Sequence, residues 1–338
     1  MEETPADIVT ALTNVAALVV IVGGVYVWVT IFRCLRRRCH PVPFEPRRPV
    51  PWGGLDLLLV LFGYVCLGGL LVFAATDLLG WELHDFQAQE FGVQQADTLA
   101  EETQPVEDQE SSQDEQESDD ELDLDRAHPV VVLLSGDASP GTFLLCLFTV
   151  VIMAPVAEEF FFRLLLQGYL EKVDFRWQRM QRYSARTLGL MPILVSSVLF
   201  ASLHAREPET PRAVELLIRL FMLDSLTKLF LVTGAIAYLK TVRGASWTDL
   251  GLRFDTFWED LRLAFSAYLA VVVPIYVLQE GLSQLFPDSV PDPVPLFCLA
   301  VALGYLYFRT HRLMPAILLH LIFNATALVM FFAVTAGP

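Results

Sequence analysis

Ala154-Pro155-Val156-Ala157-Glu158-Glu159-Phe160-Phe161-Phe162-Arg163 decides how this chain is read. The ten residues carry two adjacent carboxylates and a guanidinium, yet they continue an uncharged run that begins near residue 141. Charged side chains are costly in hydrocarbon and occur there mainly where they face a bundle interior or a water-filled cavity. Glu159 and Arg163 are four residues apart, so on a helix they share a face and can pair. Glu158 then points about 100° away and is free to face another helix.

The rest of the chain fits a membrane setting. Its 338 residues are 54% hydrophobic and 18% charged, with a mean hydropathy of +0.49. Soluble domains are less apolar and more charged. Ile8 to Phe32 contains no charged residue and is long enough to cross a bilayer as a helix. Glu2 and Glu3 precede it where a cleaved signal peptide would carry basic residues, and its apolar run is too long for one. The pattern predicts an all-α, polytopic helical bundle with about eight spans. They fall near 8–32, 55–79, 141–170, 189–205, 214–240, 261–283, 296–309 and 313–335. The fifth carries Arg219, Asp224 and Lys228 and must be shielded or partly interfacial.

Charge gives an orientation. Arg33, Arg36, Arg37 and Arg38 follow the first span, Lys172 and Arg176 the third, Lys240 and Arg243 the fifth, and Arg309 and Arg312 the seventh. With eight spans all four groups lie on one side, which the positive-inside rule makes cytoplasmic. The net charge of −16 is concentrated in residues 82–128, where Arg126 is the sole basic residue. That stretch reads as a disordered, solvated extracytoplasmic linker, too polar to offset chain entropy by burial. The chain divides accordingly into a two-span segment (1–81), the acidic linker (82–128), a membrane core with the glutamate pair (129–211), a two-span insertion or relocated segment (212–293) and a closing core segment (294–338). The expected surroundings are the lipid bilayer of the cell membrane and a peptide or protein substrate, with no nucleic acid partner.

Of the five cysteines, Cys66, Cys146 and Cys298 fall in spans. No disulfide framework is implied. Cys34, Cys39 and His40 are loosely spaced and lack a fourth ligand, so they are not read as a metal site. Glycine-rich phosphate loops, zinc helices of the His-Glu-x-x-His type and Gly-x-Ser-x-Gly elbows are absent from the sequence.

Two further polar sites sit in uncharged runs. Phe200 and His204 share a helix face, as do His320 and Asn324. A carboxylate in a partly dry site suits a general base near neutral pH. An imidazole and an amide on one face can aim two hydrogen bonds at one point, which is the geometry of an oxyanion hole. Each feature alone also reads as a structural ion pair, a hydrogen-bonded core histidine or interhelical glue.

Glu-Glu-x-x-x-Arg, Phe-x-x-x-His and His-x-x-x-Asn, in this order on separate membrane helices, resemble the CPBP family. It comprises CAAX-prenyl endopeptidases of the Rce1 type and bacterial relatives, including the abortive infection group. Phe162 to Gly168, and Gly304 to Thr310 leading to Leu313 and Pro315, resemble the flanks of its motifs. The resemblance covers about 141–206 and 294–328 and implies an intramembrane endopeptidase. Glu158 would activate water, His204 would help to hold it, His320 and Asn324 would stabilise the oxyanion, and Glu159, Arg163 and Phe200 would support the site. Zn²⁺ could bind two Glu and two His, although Glu, His, His and Asn can work without a cofactor. The alternative is a non-proteolytic scaffold or immunity-type protein that keeps the fold.

The segment order departs from that pattern. Two spans separate His204 from His320, and Gly244 to Leu252 resembles a segment that usually precedes the first motif. If the site assembles, Glu158, His204, His320 and Asn324 converge on one water-sized cavity.

Overall fold

The computed structural model describes residues 5–46, 49–81, 129–136, 139–181, 189–204, 214–286 and 293–335. The acidic linker 82–128 lies outside these residues. The described elements are helices: α1 (Pro5–Arg36), α2 (Gly54–Phe73, extended by a wide turn Ala74–Leu78), α3 (Pro129–Gly136), α4 (140–181), α5 (Leu190–Leu203), α6 (Val214–Thr241), α7 (Phe257–Leu285), α8 (Pro293–Thr310) and α9 (Met314–Thr335). Six are long and apolar enough to cross a membrane, and α5 and α9 contribute shorter apolar stretches. The chain is a polytopic membrane helical bundle. The large apolar side chains left exposed on α1, α2 and α6 are those a lipid phase would cover.

α4 is the axis of the bundle. It touches α5, α6, α8 and α9, while α2 packs on α6 and α1 on α7. The pair α6 and α7, which interrupts the motif order, is not a separate hairpin. α6 lies against α2 and α4, whereas α7 lies against α1, α8 and α9. The two helices therefore embrace the core from different sides, and the long sequence gap before His320 closes in space. Gly23 and Gly24 permit the α1–α7 contact, since a Cβ on Gly24 would stand 2.9 Å from the carbonyl oxygen of Leu269. Small residues are the usual means of close helix approach in lipid.

α4 is not a uniform helix. Wide π-type turns at Leu147–Met153 and Phe160–Gln167 flank the regular segment Ala154–Glu159. Pro155 accounts for the first. It has no N–H to give and its ring clashes with a regular helix behind it. The N–H of Ala154 reaches back to the carbonyl of Thr149. By the same widened spacing the carbonyl of Val150 would await residue 155, which is proline. The side chain of Asn324 supplies the missing donor, its Nδ2 standing 2.9 Å from that oxygen.

The ends of α4 and α8 gather the intervening loops. Trp52 is fully buried and its indole N–H donates to the carbonyl of Leu165 at 3.2 Å. Lys172 caps the carbonyl of Trp52. Arg309 donates to the carbonyl of Val42, and Asp56 takes Tyr238 and Arg243. The segment 244–252 docks here too. Gly251 has φ +66°, and the N–H of Leu313 donates to its carbonyl at 2.9 Å. A Cβ on Gly251 would come within 2.8 Å of that nitrogen, so only glycine fits. The loops after α1, α6 and α8 thus share one end of the bundle with the C-terminal part of α4.

One sequence reading is corrected. Cys34 and Cys39 form a disulfide. The sequence implied no disulfide, and with both sulfurs bonded to each other neither offers a thiolate to a metal.

Candidate active site

The glutamate pair is divided by the phase of α4. Glu159 points into the protein and is fully buried together with Arg163. Nε of Arg163 donates to Oε2 of Glu159 at 3.1 Å, and Nη1 donates to Ser196 at 3.0 Å. Ser196 in turn donates to the carbonyl of Phe162. The guanidinium also lies over the ring of Phe200, 5.5 Å from its centroid. These partners offset part of the desolvation of the buried pair, and among the described residues Nη2 of Arg163 is left without a hydrogen bond.

The second oxygen of Glu159 takes a hydrogen bond from α9. Nδ1 of His320 lies 3.0 Å from Oε1. A carboxylate only accepts, so Nδ1 carries the proton, and in the neutral ring Nε2 is left bare. His204 is fixed by the same logic. Its Nδ1 lies 2.8 Å from the carbonyl oxygen of Phe200. A carbonyl also only accepts, so Nε2 is again the bare nitrogen.

Both bare nitrogens face Glu158. Nε2 of His320 is 3.8 Å and Nε2 of His204 is 3.9 Å from the same oxygen, Oε2. Neither distance is a direct hydrogen bond, and separations beyond 3.5 Å are the kind a small bridging group fills. The site is graded in exposure: the side chain of His204 is 34% exposed, Glu158 21% and His320 6%. Phe200 organises the two imidazoles. Its ring stacks on His204 at 4.5 Å and meets His320 edge-on at 5.9 Å. Its own position is set by an edge contact with Phe162 at 5.2 Å.

Glu158, Glu159, Arg163, Phe200, His204 and His320 therefore meet at one place, from α4, α5 and α9. Asn324 stands apart in its contacts. Its described hydrogen bond is to Val150 in the wide turn of α4, which leaves its second amide N–H for any other task. Ser196 belongs to the network and was not singled out from the sequence. Its position four residues before Phe200 on the same helix face was the available signal.

The donor types around Glu158, one carboxylate and two bare imidazole nitrogens, are those zinc takes, and both rings have the oriented Nδ1–H that metal-bound histidines have. Their spacing does not gather them around an ion: among the described residues no group of three or more His, Cys, Asp and Glu is arranged to hold a metal.

The fold and the site together are those of a polytopic membrane bundle that brings one glutamate and two oriented histidines to one place. A family model described as type II CAAX prenyl endopeptidase Rce1-like matches residues 140–326. The chain belongs to that family of proteases. It matches no curated protein and no solved structure. The matched region runs from the start of α4 into α9, and so includes α6 and α7.

Proposed function

We propose that the chain is a glutamate-type intramembrane endopeptidase that hydrolyses a peptide bond of a membrane-associated substrate. The observation that supports this most is the approach of the Nε2 atoms of His204 and His320 to one oxygen of Glu158. A water seated there can give one proton to the carboxylate while an imidazole nitrogen accepts the other in a hydrogen bond. Glu158 then acts as general base.

In this reading the water oxygen attacks the scissile carbonyl carbon as its proton passes to Glu158. A C–O bond forms and the carbonyl electrons move onto oxygen. Collapse of that intermediate breaks the C–N bond, and the proton held by Glu158 passes to the departing nitrogen. His204, the more exposed imidazole, holds the water on the open side. For His320 to donate from Nε2 to the oxyanion its ring enters the cycle doubly protonated, the extra proton coming from solvent and staying on the ring, with Glu159 as counter-ion at Nδ1; His204 alone is then the bare nitrogen that accepts from the water. The free amide N–H of Asn324, one turn along α9, is the second oxyanion donor. Glu159 and Arg163 hold His320 rather than touching substrate. No metal takes part in this scheme, and the basic end of the bundle faces the cytoplasm.

The test is hydrolysis of a prenylated peptide ending in a CAAX sequence by the purified protein in lipid, with and without a zinc chelator. Cleavage that survives the chelator is expected. Cleavage abolished by the chelator and restored by added zinc would replace the glutamate scheme with a metal-dependent one. Folded protein that cleaves no such peptide would favour the scaffold alternative.

A further inference from the structure

α6 carries a second charged pair at membrane depth. Nζ of Lys228 lies 2.7 Å from Oδ2 of Asp224, near the middle of a 28-residue span. Neither residue belongs to the site described above.

Contacts along α6 fix where the pair points. Ser225 faces α4, sharing a 2.7 Å hydrogen bond with Thr149. Thr227 faces α2, its methyl carbon 3.9 Å from where a Cβ on Gly68 would stand. At about 100° per residue, Asp224 and Lys228 fall in the arc between these two strips. The exposed apolar residues Met222, Leu226 and Phe230 fall on the opposite side. The charged pair therefore points into the wedge between α2 and α4, away from lipid.

Interior residues pointing into packed protein would be sealed. These are not: the side chain of Asp224 is 36% exposed and that of Lys228 19%. Tyr64 of α2 joins them on the strip that carries Val60 and Gly68. It is 38% exposed and within electrostatic reach of Asp224, Lys228 and Glu158 alike. α4 and α6 both run from the Thr149–Ser225 contact toward the basic end, and Glu158 lies farther along that direction than Lys228. The offset is less than the about 9 Å that six residues of regular helix would span, because the wide turn shortens α4.

We propose that Asp224, Lys228 and Tyr64 line a water-filled vestibule between α2, α4 and α6 that opens onto Glu158. An ion pair at this depth is tolerated because water, not hydrocarbon, fills the space it faces. The vestibule supplies the water that hydrolysis consumes; that role rests on the peptidase reading, whereas the presence of water does not.

The experiment replaces Cys66, Cys146 and Cys298 by alanine in the full chain in membranes. Lys228→Cys and the lipid-facing Phe230→Cys are then compared for reaction with a charged, water-soluble methanethiosulfonate, which requires a hydrated thiolate. Cys at 228 should react roughly tenfold or more faster than at 230. Equal, slow reaction at both would overturn the vestibule. Tyr64→Cys provides the same reading if Lys228→Cys fails to accumulate. Neither measurement uses activity, so failure of the peptidase reading cannot imitate failure here. In the cleaving protein, the adduct at 228 should abolish hydrolysis and the adduct at 230 should leave it. Retained hydrolysis with a fully modified 228 would overturn the connection to Glu158.

Discussion

The two faces of α4 at Glu158 and Glu159 follow opposite rules. On the Glu159 face every partner is inside the protein and solvent is absent. Arg163, Ser196 and His320 complete one hydrogen-bonded assembly between three helices. On the Glu158 face the distances lengthen to nearly 4 Å, exposure rises, and among the described residues neither Nε2 has a direct hydrogen bond. The lesson is that adjacent identical residues can be assigned different work by helix phase alone. One carboxylate closes a buried hydrogen-bonded network, and the other is the one that the proposed reading assigns to chemistry.

The comparison is broken most forcefully from the sealed side. Glu159→Ala leaves Arg163 buried without a counter-ion, which costs about 3–5 kcal/mol. Thermal unfolding in detergent should show a large drop in midpoint or no folded protein. Replacing the pair together, as Glu159→Leu with Arg163→Met, should recover much of that stability, because the unpaired charge is gone. A double variant as unstable as Glu159→Ala would mean that Arg163 is not the cause.

The histidines sharpen the contrast at lower amplitude. His204→Ala removes a group from the open face, so cleavage should fall roughly 100-fold or more, with little change in stability. His320→Ala should lose activity and also destabilise by about 1–3 kcal/mol, because Glu159 loses a buried hydrogen bond. Equal stability losses for the two would contradict the division between faces.

Asn324 gives the smallest and most diagnostic effect. Asn324→Ala strands the carbonyl of Val150, at a cost of about 1–3 kcal/mol. Pro155→Ala restores a backbone N–H near that carbonyl. In a double-mutant cycle the two changes should therefore be coupled by roughly 0.5–3 kcal/mol. Additive losses would show that Asn324 is not serving this carbonyl. Activity lost in Asn324→Ala and not recovered along with stability in the double variant marks its oxyanion role as separate.

Much of this arrangement was legible in the chain. Long uncharged runs announce spans because a bilayer demands them, and the helices follow the expected segments closely. Glu158, Glu159, Arg163, His204 and His320 stood out because ionisable residues in such runs are rare and expensive. What the sequence could not give was phase and contact between distant segments. Asp224 and Lys228 were visible as charges in a span, but their direction depends on Ser225 meeting Thr149 and Thr227 meeting α2. The wide turns of α4 had a local cue in Pro155, yet the residue that satisfies the orphaned carbonyl lies on another helix. The Cys34–Cys39 bond depends on how the chain turns after α1, which a spacing of five residues does not determine. The interrupted motif order was also legible, but not its resolution, because α6 and α7 pack on different sets of helices.

The division of labour between the two glutamates is tested most directly by comparing Glu158→Gln with Glu159→Gln in lipid. Initial cleavage rate and thermal midpoint are measured on the same preparations. Glu158→Gln should lose roughly 100- to 10,000-fold in rate, the contribution of a general base, while its midpoint stays near that of the parent. Glu159→Gln should lose midpoint first, and rate in proportion to the folded protein that remains. Cleavage near the parental rate from folded Glu158→Gln would contradict the account.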